Sequence, residues 1–162
     1  MKKRLRSWKP DAANSLYTVR ALTLKAVLDT CVLKLATLPN PNNAAALIVA
    51  LAARERIELW ASPAMLDEYA TVLTEEPEVL ALIQSLVQPC YPLSPLCVIR
   101  HEPDNRFVEC ALAVNADYLI TVNTARGHFD RKFYGETRVV TPGEFLNLAA
   151  VQALFRTKDE PG

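Results

Sequence analysis

The sequence predicts an α/β fold, a three-layer α/β/α sandwich around a central parallel sheet of about four to five strands. Three observations carry this. Short apolar runs of strand length alternate with longer segments of helical period. Nearly every run ends in a capping or turn residue before the next helix, the order of repeated strand–helix units. The chain is also long enough for one domain with a sizeable core, with 162 residues, 51% hydrophobic and 22% charged.

The elements follow in order. Residues 1–21 have no clear period and hold Pro10 and Asn14, so they form an arm. "LTLKAVLDT" (Leu22–Thr30) is a buried strand closed by a lone acid, Asp29. "LPNPNN" is a loop, with Asn42 or Asn43 capping the helix of "AAALIVALAARER". "IELWAS" (Ile57–Ser62) is the second strand, and Ser62 caps a helix with Pro63 in its first turn. After Pro77 another helix runs through "EVLALIQSLV". The proline-rich "PCYPLSPLCVI" suits an extended or edge segment rather than a central strand. "DNRFVECALAVN" is a helix, "DYLITV" a strand and "TRVV" a last short strand. A final helix is expected over Pro142–Phe155, opened by a capping box of Thr141 and Glu144. The domain thus spans 22–155, and 156–162 is a polar tail.

Charge sums to zero but is unevenly placed. Residues 1–25 carry seven Lys/Arg against Asp11, and the rest carries eleven basic against seventeen acidic residues. A basic arm can touch nucleic acid or simply be solvated. No run nears the roughly 18 apolar residues of a membrane span. The basic start lacks an adjoining apolar segment and does not read as a signal peptide. Four cysteines without close pairing and only two histidines, His101 and His128, make no zinc pattern. Reduced thiols and a cytoplasmic location are the expectation, with Cys31 and Cys110 as small core residues in apolar runs.

Three acids stand out by direction. Asp29 lies between apolar flanks, where a bare charge is costly unless it is paired or faces an opening. It either caps the next helix through its side chain or serves a site. In the helix after Ser62, Met65, Leu66, Tyr69, Val72 and Leu73 form the apolar arc; Asp67 falls opposite it and Glu68 on its flank. Asp104 starts a helix whose inner face is Phe107, Cys110, Ala111 and Val114, and it lies over that face. An acid there is ordinarily a cap, but its direction is inward. In a parallel sheet these three strand–helix junctions share one edge. Three converging carboxylates need a cation, and oxygen-only ligands point to Mg²⁺ or Mn²⁺. Such ions serve phosphodiester hydrolysis.

"VLDT", "SPAMLDEYATVL", "EPDNRFVECALAVNADYLIT" and "VVTPGEFL", in that order, resemble the PIN domain, and more narrowly the toxin components of toxin–antitoxin systems. The resemblance covers roughly residues 24–150. It implies the sandwich fold, a metal-dependent ribonuclease acting on RNA, a small antitoxin partner and often a homodimer. The family's first three acids fall on Asp29, Glu68 and Asp104. The chain departs from the pattern at two positions. Cys31 stands where the motif often continues as Asp-Thr-Asn, so a polar group holding the first acid is missing. The fourth acid is matched by Asn123, followed by His128-Phe129. Asn123 can offer a carbonyl but no charge, so weaker metal binding is expected than with four carboxylates. Asp130 is a candidate substitute. Thr30, Thr121 and Thr124 are candidates for phosphate contact, and Arg126 and His128 for the substrate backbone. The leading expectation is therefore an endoribonuclease for single-stranded RNA. The alternative is a catalytically weak PIN scaffold that acts as a binding module. A phosphatase using Asp29 as nucleophile fits poorly, because "DTCVL" lacks a second acid two residues on.

Overall fold

The computed structural model describes residues 23–156. The arm expected over 1–21 and nearly all of the tail lie outside the described residues. Six strands form one sheet: β1 (Leu24–Leu28), β2 (Ile57–Ala61), β3 (Val87–Pro89), β4 (Tyr118–Ile120), β5 (Phe133–Tyr134) and β6 (Thr137–Val140). Their spatial order is β3-β2-β1-β4-β6-β5. Every pairing is parallel except the β5–β6 ribbon. Seven α-helices accompany them: α1 (Thr30–Ala36), α2 (Ala44–Ala53), α3 (Pro63–Val72), α4 (Pro77–Leu86), α5 (Asn105–Ala113), α6 (Pro142–Asn147) and α7 (Ala149–Arg156). α5 lies across β1, β2 and β4, and α2 packs on β2 and against α6. The predicted α/β/α sandwich is the observed fold.

Local chemistry sets the helix starts. Asn43 accepts from the Ala46 amide at α2, Ser62 from Met65 at α3, and Thr141 and Glu144 complete the capping box of α6. These caps hold backbone amides that no helical carbonyl reaches. The core lies between sheet and helices, filled by side chains such as Leu33, Ile48, Leu59, Met65, Phe107, Leu119, Ile120 and Phe145.

Several boundaries differ from expectation. The helix predicted over 142–155 is two helices, because Leu148 adopts an extended ψ of 136°. The Gln152 side chain caps the exposed end of α6 through the Leu146 carbonyl. The helix expected from Asp104 starts at Asn105, after a 3₁₀ turn over Glu102–Asp104. The edge strand precedes the proline-rich stretch: Val87 ends α4 and immediately pairs with Leu59, with Pro89 tolerated because β3 lies at the sheet edge. Neither α1 nor the two-residue β5 is long enough to show a period.

The stretch from Cys90 to His101 has little regular structure, yet one side chain pins it. Asn105, 2% exposed, accepts from the amides of Val98 and Ile99 and donates to the carbonyls of Ile99 and Glu102. Glu109 adds a bond from the Leu96 amide at 2.7 Å. Asn105→Ala leaves buried backbone groups without partners, each costing about 1–3 kcal/mol. Urea unfolding should therefore show a loss of roughly 3 kcal/mol. A loss below roughly 1 kcal/mol would mean that water replaces the amide.

Candidate functional site

Parallel strands end together, so the residues after β1, β2, β4 and β6 share one edge. The ladder continues one residue beyond the strands there: the Asp29 amide bonds Ile120 O, Cys90 bonds Ala61 O and Thr121 bonds Val140 O. Asp29 and Thr121 thereby sit on rigid backbone.

Asp29 occupies the N-cap position of α1 but its side chain caps nothing. It is 6% exposed. Its Oδ2 accepts from Thr121 Oγ1 at 2.6 Å and from Cys31 Sγ at 2.9 Å. Both donors are neutral, and among the described residues no lysine or arginine pairs with Asp29. A carboxyl group in so closed a place with only neutral donors leaves room for a cation as its further partner.

Cys31 is thus not a core residue. It is half-buried and turned onto Asp29, a weak donor where the resemblance left a polar hold missing. Cys110 is buried in the core as expected. Burial, and then the neighbouring Asp29 carboxylate, push the Cys31 thiol up to about 11 from 9.0.

Glu68 projects from α3 with a flank exposure that Asp67, which is exposed, does not share. Its Oε1 accepts from Thr30 Oγ1 at 2.6 Å, and its Oε2 meets Arg106 Nη1 at 3.2 Å. Beside it, the buried Tyr69 donates its hydroxyl to the carbonyl of Leu28, the residue before Asp29. Burial raises the Tyr69 phenol well above its usual range, so it remains a donor. This bond clamps α3 onto the end of β1 and sets Glu68 near the Asp29 edge.

Asp104, 7% exposed, is also an N-cap residue whose carboxylate does not cap. Its Oδ2 lies 2.7 Å from His128 Nδ1 and its Oδ1 3.1 Å from His101 Nδ1. Among the described residues, the His, Cys, Asp and Glu ligand atoms that gather within 4.8 Å of one another are those of His101, Asp104 and His128; Asp29 and Glu68 lie outside that group.

The loop after β4 builds the rest. The Asn123 amide donates to Thr121 Oγ1, and the Asn123 carbonyl accepts from Phe129 N. The half-buried Asn123 side chain makes no hydrogen bond among the described residues. Phe129 is buried edge-on against Phe107 at 6.1 Å, which holds His128 over α5. Gly127 has φ +92°, a conformation that favours glycine. Its carbonyl accepts from the His101 amide, tying the two histidine segments together. Asp130 turns back onto the Gly127 amide at 3.2 Å. Next to His128 is a cavity of about 260 Å³ lined by Arg100, Arg126 and Arg131 together with Asp130. Of the weaker candidates, Thr30 and Thr121 are buried and hold carboxylates, whereas Thr124 and Arg126 are exposed.

Sequence reasoning missed His101 and Arg106. Arg106 falls one turn after Glu102 and carried no motif; His101 sits in a loop with no period.

An α/β/α sandwich with acids at the carboxyl edge of its sheet is a frame that several classes of enzyme share. A family model described as PIN domain matches residues 25–125, and the chain belongs to that family. Membership implies nuclease-type hydrolase activity, and PIN domains typically use divalent metals. No curated protein and no solved structure matches the chain significantly. Among the described residues no helix is long and apolar enough to cross a membrane.

Two measurements check this geometry. Thr121→Ala removes the shorter of the two bonds to Asp29 and strands the Asn123 amide. Thermal or urea unfolding should show about 2 kcal/mol lost, with Thr121→Ser recovering most of it. Equal losses in both variants would assign the effect to packing of the methyl group.

The raised Cys31 thiol supplies the second. At pH 8 only about one Cys31 in a thousand is thiolate. Iodoacetamide should modify exposed Cys97 and spare Cys31, with Cys31 labelling rising as pH climbs toward 11. The folded value lies above the unfolded one, so the contact's contribution to stability is complete below pH 9 and fades through 11. Labelling of Cys31 as fast as Cys97 at pH 8 would contradict the placement of its thiol against Asp29.

Proposed function

We propose that the chain is a Mg²⁺- or Mn²⁺-dependent endoribonuclease that cleaves single-stranded RNA, acting in the cytoplasm as the toxin of a toxin–antitoxin pair. One observation carries this reading: Asp29 and Asp104 are buried acids at N-cap positions, yet neither caps its helix. Capping would explain their location fully. Their carboxylates instead turn to Thr121 and Cys31 in one case and to His101 and His128 in the other.

In this reading Asp29 and Asp104 are the principal metal ligands. Glu68 ligates or orients the attacking water, and Asn123 adds an amide carbonyl. The donor set fits a divalent cation, since Asp29 meets only neutral donors and Asp104 only imidazoles. A bound divalent ion would bind phosphate oxygens and stabilise the charge forming on the leaving oxygen. Thr121 and Cys31 hold Asp29, and Thr30 holds Glu68. Arg126, which lines the arginine-rich cavity next to His128, contacts the RNA backbone, where charge rather than sequence is read. A small antitoxin and a homodimer belong to the proposal through the family resemblance.

A second reading has a specific observation in its favour. Both Glu68 oxygens are engaged, one by Thr30 and one by Arg106, and Asn123 carries no charge. A PIN scaffold so altered can act as a binding module.

The test incubates the full chain and unstructured RNA with Mn²⁺, beside Asp29→Asn and Asp104→Asn. Cleavage should fall by about 10² or more in each variant, several kcal/mol of lost transition-state stabilisation. Cleavage that persists in both variants would sink the assignment. A folded protein that neither cleaves RNA nor takes up millimolar Mn²⁺ would favour the binding module.

A further inference from the structure

Both histidines of the chain point at one carboxylate. His101 comes from the end of the proline-rich loop, Asp104 from the 3₁₀ turn and His128 from the loop after β4. Nothing in their spacing along the chain demands this meeting. It is built by a backbone bond from His101 N to Gly127 O, by Asn105 pinning the loop before His101, and by buried Phe129 beside His128.

We infer that His101, Asp104 and His128 form a mixed nitrogen–oxygen site for a borderline transition ion of the Zn²⁺ class, in preference to Mg²⁺. The inference rests on the proposed role of Asp104 as a metal ligand and names the ion that this end of the site takes.

Geometry supports it first. The His101 and His128 Nδ1 atoms lie 3.1 and 2.7 Å from the two Asp104 oxygens, and one ligand atom from each residue falls within 4.8 Å of the others. Ligands about 2.1 Å from one ion stand roughly 3 Å apart when adjacent in its coordination shell. To coordinate one ion the two imidazoles would swing from their present contacts with the carboxylate, which their partial exposure permits.

Donor chemistry supports it second. Mg²⁺ prefers oxygen and keeps its waters, whereas imidazole suits Zn²⁺, Co²⁺ and Ni²⁺. Two imidazoles and one carboxylate are a common catalytic zinc set, which leaves further positions for water or phosphate oxygen. Access supports it third. The His101 and His128 side chains are 50% and 30% exposed, and the Asp104 side chain only 10%. An ion can arrive from solvent while the anionic ligand stays fixed. The two rings, 4.7 Å apart and tilted by 43°, approach the carboxylate from neighbouring directions, as ligands of one ion do.

The competing account is that the imidazoles only hydrogen-bond to Asp104. Calorimetric titration of the full chain with Zn²⁺, and visible absorption with Co²⁺ as a probe, separate the two without RNA. One ion per chain should bind, more tightly than Mg²⁺, with Co²⁺ bands shifted and strengthened by nitrogen ligands. His101→Ala and His128→Asn should each weaken Zn²⁺ binding by at least about tenfold, a loss that even an outer-shell partner can cause. Circular dichroism confirms folding, and His101→Ala, at an exposed position, decides if His128→Asn does not fold. Zn²⁺ affinity and Co²⁺ spectra unchanged in the folded variants would overturn the inference. That result leaves the ribonuclease reading standing if RNA is still cut with Mg²⁺. Histidine-dependent Zn²⁺ binding by a chain that cuts no RNA would sink the ribonuclease reading alone.

Discussion

A carboxylate removed from water must be met by donors or by a cation, and this fold places two such carboxylates at one edge of its sheet. The register of β1 on β4 sets the first. Leu28 pairs with Ile120, so the next residues, Asp29 and Thr121, stand side by side and bond at 2.6 Å. A slip of one residue would turn Thr121 to the opposite face. Asp29 would then keep only a thiol, the weakest donor available. The centre of the sheet is therefore also the alignment of the site.

From that contact a chain of polar links runs across the edge. Thr30, next to Asp29, bonds Glu68; Glu68 meets Arg106; Arg106 lies on the helix that Asp104 precedes; Asp104 gathers His101 and His128. Tyr69 holds α3 to Leu28 O from below. The Thr30–Glu68, Glu68–Arg106 and Asp104–His128 links each join separate elements, so the acids are positioned largely by packing between elements. The half-exposed Arg106–Glu68 pair adds little stability of its own. Its effect is orientation, since it fixes which Glu68 oxygen remains near Thr30.

The fold was legible because its strands are short apolar runs and its caps are local. Asn43, Ser62, Thr141 and Glu144 each act within three residues, a distance that a sequence shows directly. The inward direction of Asp104 and the flank position of Glu68 were legible from helical period. What periodicity lacks is the identity of partners far along the chain. Cys31 looked like core because its neighbours are apolar, yet at the first turn of α1 it falls beside Asp29. His101 lies in a loop whose path depends on the four hydrogen bonds of Asn105, a residue that reads as one more polar position near a helix start. Thr30 and Thr121 were weighed as contacts for substrate, but burial gives them to Glu68 and Asp29.

On the proposed reading, the same donors bear on Asn123, which stands where the family resemblance places a fourth acid. With four carboxylates, ion binding is driven by accumulated negative charge, which suits hard cations held through oxygen. Here Asn123 adds no charge and Arg106 offsets that of Glu68. Electrostatic attraction is correspondingly smaller, and Mg²⁺, which loses its waters reluctantly, suffers most from the change. Imidazole nitrogens add no charge either, but they bind transition ions through lone-pair donation. On the inferred site, less charge and two such nitrogens beside Asp104 would exchange breadth of cation binding for selectivity. On the proposed reading, Asn123 and the histidine pair belong to one adjustment of the metal preference.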